Sequence, residues 1–338
     1  MHKRPLPDVV WCGIDVSATD LVVAVLGDAL PQQRNFENRA AGHRALVAWL
    51  QRQGRTPQAC LEATGIYSLD LALALHAAEG VAVSVLNPKI VCRFAETLRR
   101  SKTDTADAQV LAEYARRMPF VAWCPPTATA LRLRAITRHL AALVKQRTVL
   151  HNQLHAAQAS ALMPACVRQD LRRSLRSLER SRQRMRREAL ALVECDRELA
   201  RRLALLQTVP GIAEASALYL LAELLLLPAG LSVRQWVAHS GLDPRHHQSG
   251  SSVQKPSCIS RHGNRHLRQA LYMPALVAVR HDPHLRAFYD ALQQRHKRKM
   301  QALVAVSRKI LHAIYGMFRS NCAYDGSRLF SNSIVTAA

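Results

Sequence analysis

The chain has 338 residues, which is too long for one ordinary domain and predicts two or three. Hydrophobic residues make up 49% of it, but no uncharged apolar run is long enough to span a bilayer, and the basic N-terminus lacks the apolar region of a signal peptide. The formal charge of +23 favours a polyanionic partner, nucleic acid before an anionic membrane surface, and we expect a cytoplasmic protein.

The eight cysteines are scattered along the chain, with no Cys-x-x-Cys pair. This spacing is typical of neither a zinc site nor a disulfide framework. We therefore expect the cysteines to be reduced residues of the core.

The first 90 residues predict a strand hairpin followed by alternating helices and strands. Two apolar runs, 9–17 and 21–26, are close enough to pair as a hairpin. The elements predicted after them are a helix over 38–53, a strand over 58–64, a helix over 69–78 and a strand over 81–86. This alternation indicates an α/β domain.

Carboxylates occur at two predicted strand ends and on a later helix. Asp15 lies near the end of the first strand and Glu62 near the end of the third, while Asp104 and Asp107 share one helix face. Because ligands of open α/β sheets gather at the carboxyl ends of strands, we expect the four acids to converge. Converging carboxylates suit two Mg²⁺ or Mn²⁺ ions that hold a phosphodiester. Taken singly, Asp15 also fits an acceptor for turn N–H groups, Glu62 fits an ion pair with a surface arginine, and the two helical aspartates fit a solvated face.

Four short motifs, in order, resemble the amino-terminal part of IS110-family transposases: Gly-Ile-Asp-Val-Ser, Glu-Ala-Thr-Gly-Ile-Tyr, Asn-Pro and Lys-Thr-Asp-Thr-Ala-Asp-Ala. In that family this part is a RuvC-like, ribonuclease-H-type domain with an acidic tetrad. The resemblance implies that Asp15, Glu62, Asp104 and Asp107 are catalytic and bind Mg²⁺ or Mn²⁺. It also implies that Lys102 contacts DNA phosphate.

The middle of the chain predicts a long, coiled-coil-like helical hairpin after a break at 123–126. One helix is expected over 127–162 and a second, after the interruption at 163–166, up to about residue 206. The second helix is rich in arginine with few interleaved acids, so contact with DNA or RNA is favoured over a merely solubilising face. The arginines that we predict to bind nucleic acid here are Arg172, Arg173, Arg176 and Arg180.

A Pro-Gly turn at 208–212 precedes an apolar helix over 215–227. Such a turn is typical of a helix-hairpin-helix module, in which backbone N–H groups hold a phosphate. A turn between two core helices explains it equally well.

A Gly/Ser-rich loop contains Ser249, and a basic cluster that can bind phosphate follows it. The cluster consists of Arg261, Arg265 and Arg268. The motifs Gly-Leu-x-Pro, Ser-Gly and Gly-Asn-x-x-Leu-Arg resemble the second domain of the same family, which implies that Ser249 is the catalytic serine. The alternatives are Ser251, Ser252 and, more distantly, Ser240.

The predicted fold class is an α/β ribonuclease-H/RuvC-like N-terminal domain, a long helical hairpin and a mostly α-helical C-terminal domain. The corresponding boundaries are 1–122 for the catalytic domain, 123–206 for the hairpin and oligomerisation segment, 207–320 for the serine-containing domain and 321–338 for a flexible tail.

The resemblance implies a DNA transposase or recombinase of an insertion element, working at the bacterial nucleoid. Because one domain supplies the acids and another the serine, and because of the helical hairpin, we expect a homo-oligomer, dimer or tetramer. It would cut and rejoin DNA through Ser249, guided by a structured noncoding bridge RNA. A RuvC-like Mg²⁺-dependent nuclease or Holliday-junction resolvase and a non-catalytic nucleic-acid-binding protein are the open alternatives. A sugar-kinase-like ATPase is disfavoured, because no later Gly-rich phosphate motif occurs.

Overall fold

A computed structural model describes residues 9–27, 31–98, 104–249 and 253–329, with the side chains of residues 104–105, 246–249 and 253–257 outside this description. The chain divides into two compact units, residues 1–125 and 126–338. None of the helices in the described ranges is long and apolar enough to cross a bilayer.

The first unit is built on a mixed five-stranded sheet. Its elements are β1 (Val9–Val16), β2 (Asp20–Leu26), β3 (Gln32–Glu37), α1 (Ala40–Gln51), β4 (Thr56–Glu62), α2 (Leu69–Ala77), β5 (Ala82–Leu86), α3 (Pro88–Leu98) and α4 (Asp104–Arg117). The strand order is β3-β2-β1-β4-β5, with antiparallel pairs among the first three strands and parallel pairs from β1 to β4 and from β4 to β5. This is the ribonuclease-H-like arrangement, so the predicted fold class is confirmed for this unit.

The main core of the first unit lies on one face of the sheet. Cys12 and Ile14 of β1 and Leu61 of β4 point to this face and are buried against Leu46 of α1 and Leu71 of α2. Strand side chains alternate between faces, so the next residue along each strand points to the opposite face.

On that opposite face, Gly13 allows α4 to approach the sheet at backbone distance. A Cβ atom at Gly13 would lie 2.1 Å from the carbonyl oxygen of Ala108 and 2.2 Å from the amide nitrogen of Ala112, so only glycine fits. Ala24 of β2 packs with these two alanines in a small second core. Three small side chains and one glycine thus set the position of the helix that carries Asp104 and Asp107.

The second unit is mostly helical. Its elements are α5 (Ala128–Ala159), α6 (Ala165–Glu194), α7 (Arg197–Gln207), α8 (Glu214–Leu224), α9 (Val233–Ser240), β6 (Pro244–Ser249), β7 (Val253–Ile259), α10 (Arg265–His281), α11 (Pro283–Gln294), α12 (Lys299–Ser320) and a 3-10 turn (Gly326–Arg328). The predicted hairpin of two long helices, α5 and α6, is confirmed, as is the mostly helical C-terminal region. A single core joins Leu133 and Val193 of this hairpin to Leu221 and Ile310 of later helices.

Three elements differ from the sequence prediction. β3 was not predicted because its residues are polar; it forms because β2 offers it a free edge for pairing. The second hairpin helix was predicted to reach residue 206 but ends at Glu194, since the side chain of Asp196 accepts hydrogen bonds from the first amides of a new helix, α7. The segment around Ser249 was predicted as a loop, and β6 and β7 form an antiparallel hairpin there.

The expectation that all cysteines lie in the core was wrong for six of the eight. Cys12 and Cys60 are buried, and burial raises the pKa of the Cys60 thiol to about 12. The exposed cysteines are Cys92, Cys124, Cys166, Cys195, Cys258 and Cys322.

Candidate active site

Asp15 and Glu62 are neighbours at the carboxyl ends of two parallel strands. The register of β1 and β4 ends on the pair Ile14 and Leu61, and each acid is the next residue of its strand. Because that last pair points into the main core, both half-buried acids point to the face that α4 covers. Adjacent strands are about 4.8 Å apart. The structure therefore brings these two predicted residues together, while their catalytic role stays a prediction.

α4 carries the second pair of acids along the same face of the sheet. Its backbone at Ala108 meets Gly13, which lies two residues before Asp15 on that face. Asp107 directly precedes Ala108 and is half-buried. Asp104 is the first residue of α4, one helical turn before Ala108, and its side chain is outside the described atoms.

The donor atoms at the strand ends suit a hard divalent cation. Carboxylate oxygens are the ligands that Mg²⁺ and Mn²⁺ prefer. Two residues beyond Glu62, the Thr64 hydroxyl oxygen is buried without a hydrogen-bond partner, the only such side-chain atom in the described part of the chain. Among the described side chains no three acidic, histidine or cysteine groups form a cluster that could hold a metal ion; the side chain of Asp104, one of the four predicted ligands, is not among those described. Lys102 lies outside the described residues.

Ser249 is the last residue of β6 and pairs with Val253 across the hairpin. Its side chain is outside the described atoms, as are Ser251 and Ser252 altogether. The fourth serine weighed from the sequence, Ser240, is fully buried, and its hydroxyl donates to the Val237 carbonyl at 2.6 Å. Its hydroxyl therefore serves the C-terminus of α9 and is not accessible to a strand of DNA.

The predicted basic cluster divides into exposed and engaged arginines. Arg261, in the segment before α10, and Arg265, the first residue of α10, are exposed. Arg268 is half-buried, and its Nη1 donates to the carbonyls of Ser240 at 2.7 Å and Gly263 at 3.1 Å. Burial and then the nearby Arg261 lower the pKa of Arg268. Arg268 thus fastens the segment before α10, and its phosphate contact stays a prediction.

The turn at 208–212 is packed as a turn between core helices. Val209 and Ile212 are buried, and an added Cβ at Gly211 would lie 2.6 Å from the Pro274 carbonyl oxygen of α10. The amides of Val209 and Ile212 already donate within the turn. These contacts favour the second of the two interpretations given to the turn.

Four arginines of α6 form an exposed basic face. None of the four makes an ion pair within the described residues, unlike Arg182, which contacts Glu179, and Arg186, which contacts Glu214. The members of this face are Arg172, Arg173, Arg176 and Arg180. Their side chains are therefore available to a polyanion.

The sequence prediction missed a buried polar network in the second unit. Glu223 of α8 is 3% exposed and accepts from Arg138 Nε at 2.8 Å, from Arg138 Nη2 at 3.0 Å and from Asn264 Nδ2 at 2.6 Å. Burial acts to raise the pKa of Glu223, but the hydrogen bonds of Arg138 and Asn264 outweigh it, and the pKa lies below its usual value. A lone acid inside the apolar run of α8 was the available signal.

Comparison with known proteins identifies the family. A family model described as a transposase, of the IS110 DEDD type, matches residues 12–164, and a model described as the transposase IS116/IS110/IS902 family matches residues 203–290. A pilin gene-inverting protein of Moraxella bovis is 30% identical over 93% of this chain and 97% of its own. The chain belongs to the IS110 family of transposases.

Three further relatives match this chain with equal or lower sequence identity. The pilin gene-inverting protein of Moraxella lacunata has the same identity and coverage. The structure of T. thermophilus RuvC in complex with a Holliday junction substrate matches 32% of this chain and 95% of its own, with 18% identity and a TM-score of 0.25. A protein of insertion element IS110 from Streptomyces coelicolor is 28% identical over 36% of this chain and 29% of its own. The predicted family is confirmed, and with it a DNA-cleaving transposase or recombinase role.

Proposed function

We propose that this IS110-family transposase cuts and rejoins the DNA of an insertion element through a covalent serine intermediate. The single observation that carries the proposal is the adjacent placement of Asp15 and Glu62 at the carboxyl ends of β1 and β4, beneath the helix of Asp104 and Asp107. That edge of an α/β sheet is where substrates bind. The curated relatives named for pilin gene inversion support DNA rearrangement as the outcome.

The four acids would hold Mg²⁺ or Mn²⁺ and orient the scissile phosphate. A bound divalent ion would supply Lewis-acid stabilisation of the charge that develops on the phosphate oxygens. The chain's own part is positional. Gly13 fixes how closely α4 approaches the sheet, and the parallel pairing of β1 with β4 brings Asp15 and Glu62 side by side.

Ser249 is proposed as the nucleophile. Its Oγ forms a bond to phosphorus while the bond from phosphorus to a sugar oxygen breaks; the serine proton leaves to solvent and the departing sugar oxygen takes up a proton. The phosphoserine link conserves the energy of the broken bond, so rejoining needs no ATP. The exposed Arg261 and Arg265 are candidates to bind phosphate near this step.

A structured noncoding RNA and a homo-oligomer, dimer or tetramer, complete the proposal. The exposed basic face of α6 is compatible with RNA as well as DNA. The acids and the serine belong to different units of the chain, so one protomer is free to supply the acids and another the serine.

The test is a denaturing gel of labelled element-junction DNA incubated with the protein, its cognate RNA and Mg²⁺. Ser249→Ala and Asp104→Ala are run beside the wild type, with Ser251→Ala as the matched serine control. We expect a protein-linked strand in the wild type and in Ser251→Ala and its loss in the other two variants. Substitution of a catalytic nucleophile lowers the rate by several orders of magnitude, so the protein-linked strand should be undetectable on the gel.

Two results would contradict the proposal in different ways. Free cut ends that persist in Ser249→Ala but vanish in Asp104→Ala indicate hydrolysis by a RuvC-like nuclease. Unchanged nucleic-acid binding with no metal-dependent cleavage in any variant indicates a binding protein.

A further inference from the structure

One side-chain amide joins the loops that follow the two acid-bearing strands. Asn38 Nδ2 donates to the Ser17 carbonyl at 2.7 Å and to the Tyr67 carbonyl at 3.1 Å. Ser17 lies two residues after Asp15, and Tyr67 lies five residues after Glu62. Both hydrogens of the amide are therefore used to connect one strand end to the other.

This connection stands where the sheet itself stops connecting the strands. The parallel register of β1 and β4 ends at Ile14 and Leu61, so Asp15 and Glu62 lie one residue past the last pair. The backbone N–H of Asn38 also donates to the Thr19 carbonyl, at 2.7 Å, which fixes Asn38 itself to the loop after β1. Asn38 thus supplies a cross-link beyond the end of the ladder.

His43 fixes the orientation of the Asn38 amide. Its Nε2 lies 2.8 Å from Asn38 Oδ1. Since the amide nitrogen faces two carbonyls, Oδ1 is the acceptor and His43 Nε2 must carry the hydrogen. His43 is 7% exposed on α1, and the next residue back, Gly42, touches the backbone of Glu37, where an added Cβ would lie 2.0 Å from the carbonyl oxygen. The donor is therefore held in place by packing.

We infer that Asn38, oriented by His43, is a positioning residue that fixes the separation of the Asp15 and Glu62 carboxylates. The inference rests on the proposed function, in which these two acids bind a divalent cation. Groups that orient metal ligands from outside the coordination sphere typically change metal affinity roughly 10–100-fold when they are removed. Asn38 acts on the strands that carry the ligands, so we expect an effect near the lower end of this range.

The test measures Mn²⁺ binding to the full-length protein by isothermal titration, beside thermal unfolding without metal. Asn38→Asp keeps the size and the acceptor of His43 but replaces both amide donors with a carboxylate oxygen. Asn35→Asp on β3, which is exposed and makes the same charge change, is the matched control. We expect roughly ten-fold weaker Mn²⁺ binding for Asn38→Asp and wild-type binding for Asn35→Asp.

A second pair of variants separates positioning from folding. His43→Gln retains an N–H donor for Asn38 Oδ1 and His43→Leu removes it. Weaker Mn²⁺ binding in His43→Leu and wild-type binding in His43→Gln support the inference. This pair of variants still tests it if Asn38→Asp does not unfold cooperatively and therefore cannot be used. Equal Mn²⁺ binding in Asn38→Asp and wild type, or in the two His43 variants, overturns it. A wild type that binds no Mn²⁺ instead overturns the proposed metal site itself.

Discussion

At the scale of single residues, the second unit depends on one buried carboxylate. Glu223 has both oxygens occupied, by the fork of Arg138 on α5 and by Asn264, whose own Oδ1 accepts from the first amides of α10. Three helices therefore meet through one acid. Removing either partner of such a pair leaves an uncompensated polar group, which costs more than the intact pair contributes.

We predict that Glu223→Gln lowers the free energy of unfolding by about 2 kcal/mol at pH 7. This is below the roughly 3–5 kcal/mol of a fully buried pair, because the Arg138 side chain is 39% exposed and stays hydrated. In a unit of this size the change corresponds to about 4–8 °C in melting temperature. Glu188→Gln, an exposed acid on α6 without an ion pair in the described residues, should leave the melting temperature unchanged.

The same variant gives a pH signature whose sign follows from the lowered pKa of Glu223. A carboxyl whose folded-state pKa is lowered contributes stability above its usual pKa of about 4.3 and loses it as pH falls through the folded-state pKa. The difference in melting temperature between wild type and Glu223→Gln should therefore be full at pH 7 and shrink below about pH 4. A difference that stays constant over that range would show that the carboxylate charge is not what matters.

At the scale of elements, the contact of α4 with the sheet sets the geometry of the candidate site. Gly13 has no space for a side chain, because backbone atoms of Ala108 and Ala112 occupy it. A backbone contact cannot be relieved by a rotamer change, so any larger residue must displace the helix. Displacement of α4 moves Asp104 and Asp107 relative to the strand-end acids Asp15 and Glu62.

We predict that Gly13→Ala abolishes cleavage while the unit still folds, with a stability loss of about 1–3 kcal/mol. Gly27→Ala is the matched control, since its Cβ would meet only the Val10 side chain at an ordinary 3.6 Å. Junction cleavage and thermal unfolding are measured for both variants. Full cleavage by Gly13→Ala would mean that α4 tolerates a shift and does not set the site.

Elements formed by local sequence patterns could be predicted from the sequence, and elements formed by contacts between distant residues could not. β1, β4 and α5 were predictable because their apolar patterns repeat locally, and Asp15 and Glu62 were predictable as charges placed at strand ends. β3 was not, because its polar sequence pairs only when β2 presents an edge. Asn38 and His43 were missed since their role depends on carbonyls 21 and 29 residues away from Asn38 in the chain, which no local pattern encodes.

At the scale of the whole molecule, the net charge of +23 does not show which arginines are paired with acids and which are unpaired. On α6, Arg182 and Arg186 are balanced by Glu179 and Glu214, whereas the face that includes Arg173 and Arg176 has no such balance among the described residues. An arginine that is already paired with a carboxylate must give up that contact to bind phosphate, so it contributes less to polyanion binding than an unpaired arginine does. The affinity for polyanions should therefore reside in particular arginines and not in the net charge.

We predict that Arg173→Gln/Arg176→Gln weakens binding to DNA duplexes of any sequence and lowers the slope of log affinity against log salt by roughly two, since each lost phosphate contact contributes about 0.9. Arg182→Gln/Arg186→Gln removes the same charge from the same helix and is the matched control. Fluorescence anisotropy at several salt concentrations gives both slopes. If net charge alone governed binding, the two double variants would lose affinity equally; if this face of α6 binds phosphate, only the first double variant should show a lower salt slope.

Repeating the titration with a structured RNA tests which polyanion this face prefers. Loss of a nonspecific phosphate contact should weaken DNA and RNA binding equally, whereas loss of a specific contact should weaken binding to one of them more than to the other.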